Sequence, residues 1–296
     1  MAEAIKNLAM PPEDAGRPGA PRPRGPEAEN FPVASRLVAA RLRPAVMAFY
    51  RVVRAADDIA DSPDLPAAAK ARQIAALDAA LAGAGTHPLA ADLARELAAI
   101  GRPAALRHAR TMMRAFAADA AGTLCRDEAD LIASCRLSAD PVGRFLLDLH
   151  GEDAEAAGQA ADALSTALQI LNHLQDLGED HRDLGRLYLP LDWIAEAGAA
   201  RADLGAPRLS PGLRRAVDRA LDLAEARLAR AAVLPSLLRS RRLAAEARAI
   251  HLLARALARR LRRQDPLAGR VAPGRGDRAR AALAGLTALA APRRRP

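Results

Sequence analysis

The stretch RAADDIAD, residues 54–61, carries Asp57, Asp58 and Asp61 in one run. Asp57 and Asp61 stand four residues apart, so on a helix both carboxylates share a face, about one turn from each other. A second stretch, NHLQDLGED at 172–180, repeats this arrangement with Asp176 and Asp180. Like charges at that spacing destabilise a helix unless something neutralises them. The neighbours Val52, Val53, Ala56, Ile59 and Ala60 predict that the first helix is partly buried. Carboxylates on such a helix need partners or a metal.

In the first run Arg54, Asp57 and Asp61 form one stripe, with Tyr50 a turn earlier on the same side. In the second, Asn172, Asp176 and Asp180 put three oxygen-bearing side chains on one face, and Ile170, Leu171 and Leu174 pack the others. Glu179 sits beside Asp180 as a supporting group. Either run alone also admits a second reading, as a solvated acidic helix end. Two matched copies roughly 120 residues apart make coincidence a poor explanation. Opposed across a cavity, two such faces would hold a diphosphate through a hard divalent cation, Mg²⁺ or Mn²⁺. These ions take oxygen ligands and share them between carboxylates and substrate phosphates.

Arg54 and Arg186 can offer guanidinium forks to a diphosphate, or make only structural ion pairs. Tyr188, between Leu187 and Leu189, caps the cavity or packs in the core. His173 lies off the acidic stripe and reads as packing or surface. His181 could touch pyrophosphate but reads as surface, and His150 as an ordinary helix-end residue. No GxSxG, HExxH, Walker A or strand-borne GxGxxG competes with this chemistry.

Composition sets the frame. The chain has 296 residues, 51% of them apolar but only 2% aromatic, with Ala, Leu and Arg dominant. Such a sequence favours helix and gives little material for strands, so the domain reads as all-α. The net charge of +9 reads as solvated helix faces and Arg-rich ends, or as attraction to anionic surfaces and phosphorylated ligands. No nucleic-acid-binding pattern appears. Two cysteines without a CxxC fit a reducing cytoplasm, and no apolar run is long enough to span a bilayer.

Residues 1–28, rich in Pro, Gly and charge, read as a disordered leader. Residues 29–290 read as one catalytic domain and 291–296 as a frayed tail. Within the domain a first helical region runs from Asn30 to Leu65, with Pro44 marking a break or kink before Ala45–Asp61. Helices are predicted near 67–82, 88–100, 103–120 and 127–137, then a turn and an apolar helix in SADPVGRFLLDLHG. The second acidic run is predicted inside one helix over 157–181. GRLYLP follows as a short extended element, and helices near 190–197, 210–232, 240–263 and 277–290 complete the chain.

The pieces FYRVVRAADDIAD, CRLSADPVGRFLL, LQILNHLQDLGED and GRLYLP resemble the squalene and phytoene synthase family of head-to-head prenyl synthases. ENFPVASRLVAARLRP, DPVGRFLLDLHGE and Gln175 are similar to its hydroxysqualene-forming, hopanoid-pathway branch. The resemblance covers about residues 29–290. It implies an isoprenoid synthase fold around a central hydrophobic cavity. It also implies Mg²⁺ on Asp57, Asp61, Asn172, Asp176 and Asp180, with diphosphate contacts near Ser35, Arg54 and Tyr50. The expected catalytic set is Asp57, Asp61, Asp176, Asp180 and Tyr50. The expected substrate-binding set is Ser35, Arg54, Asn172, Arg186 and Tyr188.

The activity implied is conversion of presqualene diphosphate and water to hydroxysqualene and pyrophosphate, without NADPH. The implied setting is cytoplasmic, with peripheral contact at the inner membrane and an upstream presqualene diphosphate synthase as partner. The pattern departs from the family at Leu124 and Cys125, where an Arg–Tyr pair is common, and at Ser134, where a Tyr is common. One alternative is head-to-head condensation of prenyl diphosphates. Another is a non-catalytic family member acting as an assembly factor, which would be expected to lose the aspartates this chain keeps.

Overall fold

The computed structural model describes residues 38–290, and among these no strand occurs. A 3₁₀ turn at Ala40–Leu42 leads into α1 (Arg43–Asp61), whose first turn takes Pro44 where its missing N–H costs nothing. Then come α2 (Ala67–Leu81), α3 (Pro88–Ala99), α4 (Leu106–Ala120), α5 (Glu128–Ser138) and α6 (Asp140–His150). They are followed by α7 (Ala154–Gln175), α8 (Leu177–Leu184), α9 (Leu191–Glu196) and α10 (Pro211–Ala231). The series ends with α11 (Leu234–Leu237), α12 (Arg241–Leu261) and α13 (Arg275–Ala290). Ser35, the 1–28 leader and the 291–296 tail lie outside the described residues.

Local chemistry sets many boundaries. Asp127, Asp153, Ser210 and Ser240 accept from backbone N–H groups of the first turns of α5, α7, α10 and α12. Gly151 closes α6 and Gly185 closes α8, each in the left-handed conformation.

Two apolar cores organise the helices. The first gathers α1–α4 around Val52, Leu77, Leu93 and Met113. The second gathers α5, α7, α9, α10 and α12 around Leu171, Trp193, Leu221 and Leu257. With few aromatics available, close approach falls to alanine. Ala157, Ala160, Ala163 and Ala167 on α7, and Ala216, Ala220 and Ala224 on α10, are buried, and the two helices pack together. The α6 helix stitches the cores, since its Phe145 stacks on Phe49 of α1 with ring centroids 3.9 Å apart, while its Leu147 joins the second core. The two acidic runs therefore belong to different cores: α1 carries one, and the α7–α8 junction the other.

Two expectations change. The helix predicted over 157–181 is interrupted at Asp176 (φ −95°, ψ 7°), which caps α7 and precedes α8. Tertiary contacts decide this. Gln175 donates its side-chain amide to the Val271 carbonyl, and Asp176 meets Arg270. Both partners come from the segment between α12 and α13. The spacing of the acidic face survives, because Asp176 N–H still donates to Asn172 (2.9 Å) and Asp180 N–H to Asp176 (2.8 Å). GRLYLP, expected as an extended element, is an irregular loop.

Candidate active site

On α1 the buried positions Val52, Ala56 and Ala60 face the first core, which turns Tyr50, Arg54, Asp57 and Asp61 outward from it, half-buried. On α7 and α8 the half-buried positions Asn172, Asp176, Glu179 and Asp180 turn likewise out of the second core. The loop 185–190 joins these faces. Arg186 donates to the Asp61 carboxylate and, at 2.9 Å, to the Ala60 carbonyl. A residue six positions past Asp180 thus lies on the last turn of the first acidic helix.

Each acidic face already holds guanidinium groups. Arg54 pairs with Asp57 at 2.9 Å and with Asp58. Arg186 pairs with Asp61. Arg270 sits 2.9 Å from Asp176 and 3.9 Å from Glu179. Both arginines for which ligand contact or ion pairing stood open, Arg54 and Arg186, are ion-paired to the carboxylates here. Burial, and then Asp61 alongside, push the Asp57 carboxyl up to about 7 against the pull of Arg54. That is the penalty of burying a carboxylate, added to by a like charge on the same face and incompletely relieved.

A cleft of about 290 Å³ opens beside the end of the first acidic run, lined by Asp61, Lys70, Asp119, Asp183, Arg186 and Tyr188 among others, and Asn172, Asp176 and Asp180 are not among its lining residues. Its size suits a diphosphate group rather than a C30 chain, and with three carboxylates against Lys70 and Arg186 a diphosphate there would need a cation beside it. Tyr188 donates its hydroxyl to Asp119 (2.9 Å) and stacks its ring on His173, centroids 3.8 Å apart. Burial raises the Tyr188 phenol's pKa, and that of the Asp119 carboxyl. Burial also drops the His173 imidazole to about 3, so it packs here as a neutral ring. Leu124, 48% exposed, lines the cleft together with the exposed Leu184, whereas Cys125 is buried and lends its carbonyl to the Leu191 N–H.

The donor set suits a divalent cation. Asp57, Asp61, Asn172, Asp176 and Asp180 offer hard oxygen ligands only, and a cation would offset the burial and the like charge of Asp61 that together raise Asp57. Among the described residues no three acidic, His or Cys side chains close around one point by themselves. An ion held here would draw part of its oxygen shell from substrate, as Mg²⁺ commonly does.

Asp119, Lys70 and Arg270 were not read from sequence. Asp119 left one signal: a carboxylate at the C-terminal end of an Ala-rich helix opposes the helix dipole and needs an outside partner. Lys70, which donates to the Ala60 carbonyl at 2.9 Å, and Arg270 left none.

Residues 26–278 match the family described as squalene/phytoene synthase. The chain belongs to that family. It is 42% identical over 244 residues to a hydroxysqualene synthase of Rhodopseudomonas palustris, covering 82% of each chain. It is 37% identical to the hydroxysqualene synthase of Zymomonas mobilis, covering 84% of each. The solved structure described as squalene synthase HpnC from Alicyclobacillus acidocaldarius superposes with TM-score 0.68 at 32% identity, over 78% of this chain and 87% of that one. A dehydrosqualene synthase structure superposes with TM-score 0.71 over 88% and 92%; at 22% identity it speaks for the fold alone. The fold is that of the isoprenoid synthases, and the chain is a hydroxysqualene synthase-like enzyme of a family that acts on prenyl diphosphates.

Proposed function

We propose that the enzyme converts presqualene diphosphate and water to hydroxysqualene and pyrophosphate, using Mg²⁺ and no nicotinamide cofactor. The observation that carries the reading is Arg186 on Asp61. It brings the loop after the second acidic run onto the end of the first, where both Arg186 and Asp61 line a diphosphate-sized cleft. The 42% identity to a hydroxysqualene synthase favours water capture over condensation.

In this reaction the substrate's C–O bond to diphosphate breaks, the cyclopropylcarbinyl cation so formed rearranges with opening of its ring to an allylic cation, a water oxygen bonds to that cation, and the water loses a proton. When bound, Mg²⁺ neutralises the departing pyrophosphate. Arg54 and Arg186 contribute forked donors that can turn from carboxylate to phosphate oxygens. Asn172, Asp176 and Asp180 would supply the oxygen ligands of the second acidic run. Apolar side chains around the substrate's hydrocarbon would keep bulk water from the cation until one water is admitted.

The lipid substrate and product place the enzyme at the cytoplasmic face of the inner membrane, where it meets its substrate and the upstream synthase. The charge of +9 and the exposed Leu124 and Leu184 at the cleft mouth support that contact. No helix among the described residues is long and apolar enough to cross a membrane.

The decisive test incubates the full chain with Mg²⁺ and presqualene diphosphate in H₂¹⁸O, without NADPH. One ¹⁸O in a C30 alcohol is expected. Unlabelled product, squalene formed only with NADPH, or turnover only of farnesyl diphosphate would overturn the assignment.

A further inference from the structure

The loop 185–190 is pinned at both ends of its polar stretch. Gly185 turns it out of α8 at φ +63°. Arg186 then reaches Asp61 and the Ala60 carbonyl on α1. Two residues on, Tyr188 makes the contacts that no sequence reading assigned. Its hydroxyl donates to Asp119 Oδ1 at 2.9 Å, and its ring lies on His173 at an interplanar angle of 16°. Asp119 ends α4, in the first core, whereas His173 belongs to α7, which builds the second. One side chain therefore ties the loop to both halves of the molecule.

Asp119 is poorly placed for any purpose internal to its own helix. It stands at the negative end of the α4 dipole, half-buried, and its surroundings are Arg186, Tyr188 and the like-charged Asp61. A carboxylate in that position persists where its external hydrogen bond is worth having. We infer that Asp119 is a positioning residue: acting through the Tyr188 hydroxyl, it fixes the 185–190 loop so that Arg186 stays at the first acidic motif. What Arg186 meets there rests on the function proposed above; the hold on the loop does not.

The test uses the full chain with Asp119→Ala, Asp119→Asn and Tyr188→Phe. Hydrogen exchange without ligand reads the loop directly. Asp119→Ala and Tyr188→Phe should speed exchange in segment 185–191 about tenfold, the effect of one lost hydrogen bond to a charged group. Asp119→Asn keeps an acceptor and should restore most of the protection. Binding of inorganic pyrophosphate with Mg²⁺ should weaken by a similar factor in Asp119→Ala and little in Asp119→Asn. The double variant Asp119→Ala/Tyr188→Phe should be no worse than either single one, because both remove the same contact.

Unchanged exchange in 185–191, Asn behaving like Ala, or additive losses in the double variant would each overturn the positioning role. A wild-type protein with the expected exchange pattern that fails to bind pyrophosphate with Mg²⁺ would overturn the proposed function and leave the role of Asp119 standing.

Discussion

Asp140→Asn should make the protein more stable, and by an amount that depends on pH. Asp140 opens α6, accepts from the Thr166 hydroxyl at 2.8 Å, and lies among Arg136, Arg144 and Asp162. Arg144 is committed elsewhere: its guanidinium grips Asp162 through two bonds of 2.7 and 2.6 Å. Burial therefore dominates and pushes the Asp140 carboxyl from 3.8 up to about 7, with the Thr166 hydrogen bond opposing it and Asp162 adding to it. The sign follows from the direction. A raised carboxyl favours the folded state below pH 3.8, loses that contribution as pH rises, and has lost it above about 7. Ionising a group held that far up costs at most about 4 kcal/mol at 1.36 kcal/mol per pH unit. Partial exposure screens much of this, and a charge at a helix N-terminus recovers roughly 0.5 kcal/mol. A gain of about 1–2 kcal/mol at pH 8 remains for Asn, which still accepts from Thr166. Urea unfolding of both proteins at pH 8 and pH 5 measures it. The gain should shrink to a fraction of its pH 8 value at pH 5. An equal gain at both pH values, or a loss at both, would refute the reasoning.

Asp57→Ala or Asp176→Ala should abolish turnover, as should excess EDTA, while circular dichroism stays helical; activity surviving in both variants would sink the metal reading. Gly212→Ala should destabilise by about 1–3 kcal/mol in thermal unfolding, because its Cβ would fall 2.8 Å from both the Ala197 carbonyl oxygen and the Ala199 Cβ. Sedimentation with vesicles should show binding that grows with anionic lipid and falls with added NaCl, since exposed charge is screened within about 8 Å at physiological ionic strength. Equal binding to neutral vesicles would remove the electrostatic part of the membrane contact.

Much of the fold is set locally and the helix spans were legible for that reason, although the capping residues and the two closing glycines were not read from the sequence. Caps at Asp127, Asp153, Ser210 and Ser240, the glycines at 151 and 185, and Pro44 in a first turn act within a few residues of themselves. The spacing of Asp57 with Asp61, and of Asn172 with Asp176 and Asp180, is likewise a property of one helical surface. Sequence therefore determined the all-α class, the helix boundaries to within a few residues and the two acidic faces. The tertiary structure decided what those faces meet. Arg270 finds Asp176 from 94 residues away, Arg186 finds Asp61 from 125, and Tyr188 finds Asp119 from 69. The break at Asp176 belongs with these, since it follows from the segment between α12 and α13 drawing on Gln175 and Asp176. Periodicity records which way a side chain points from its own helix. It carries no information about which distant charge will arrive there, because that depends on how two separate cores pack against each other.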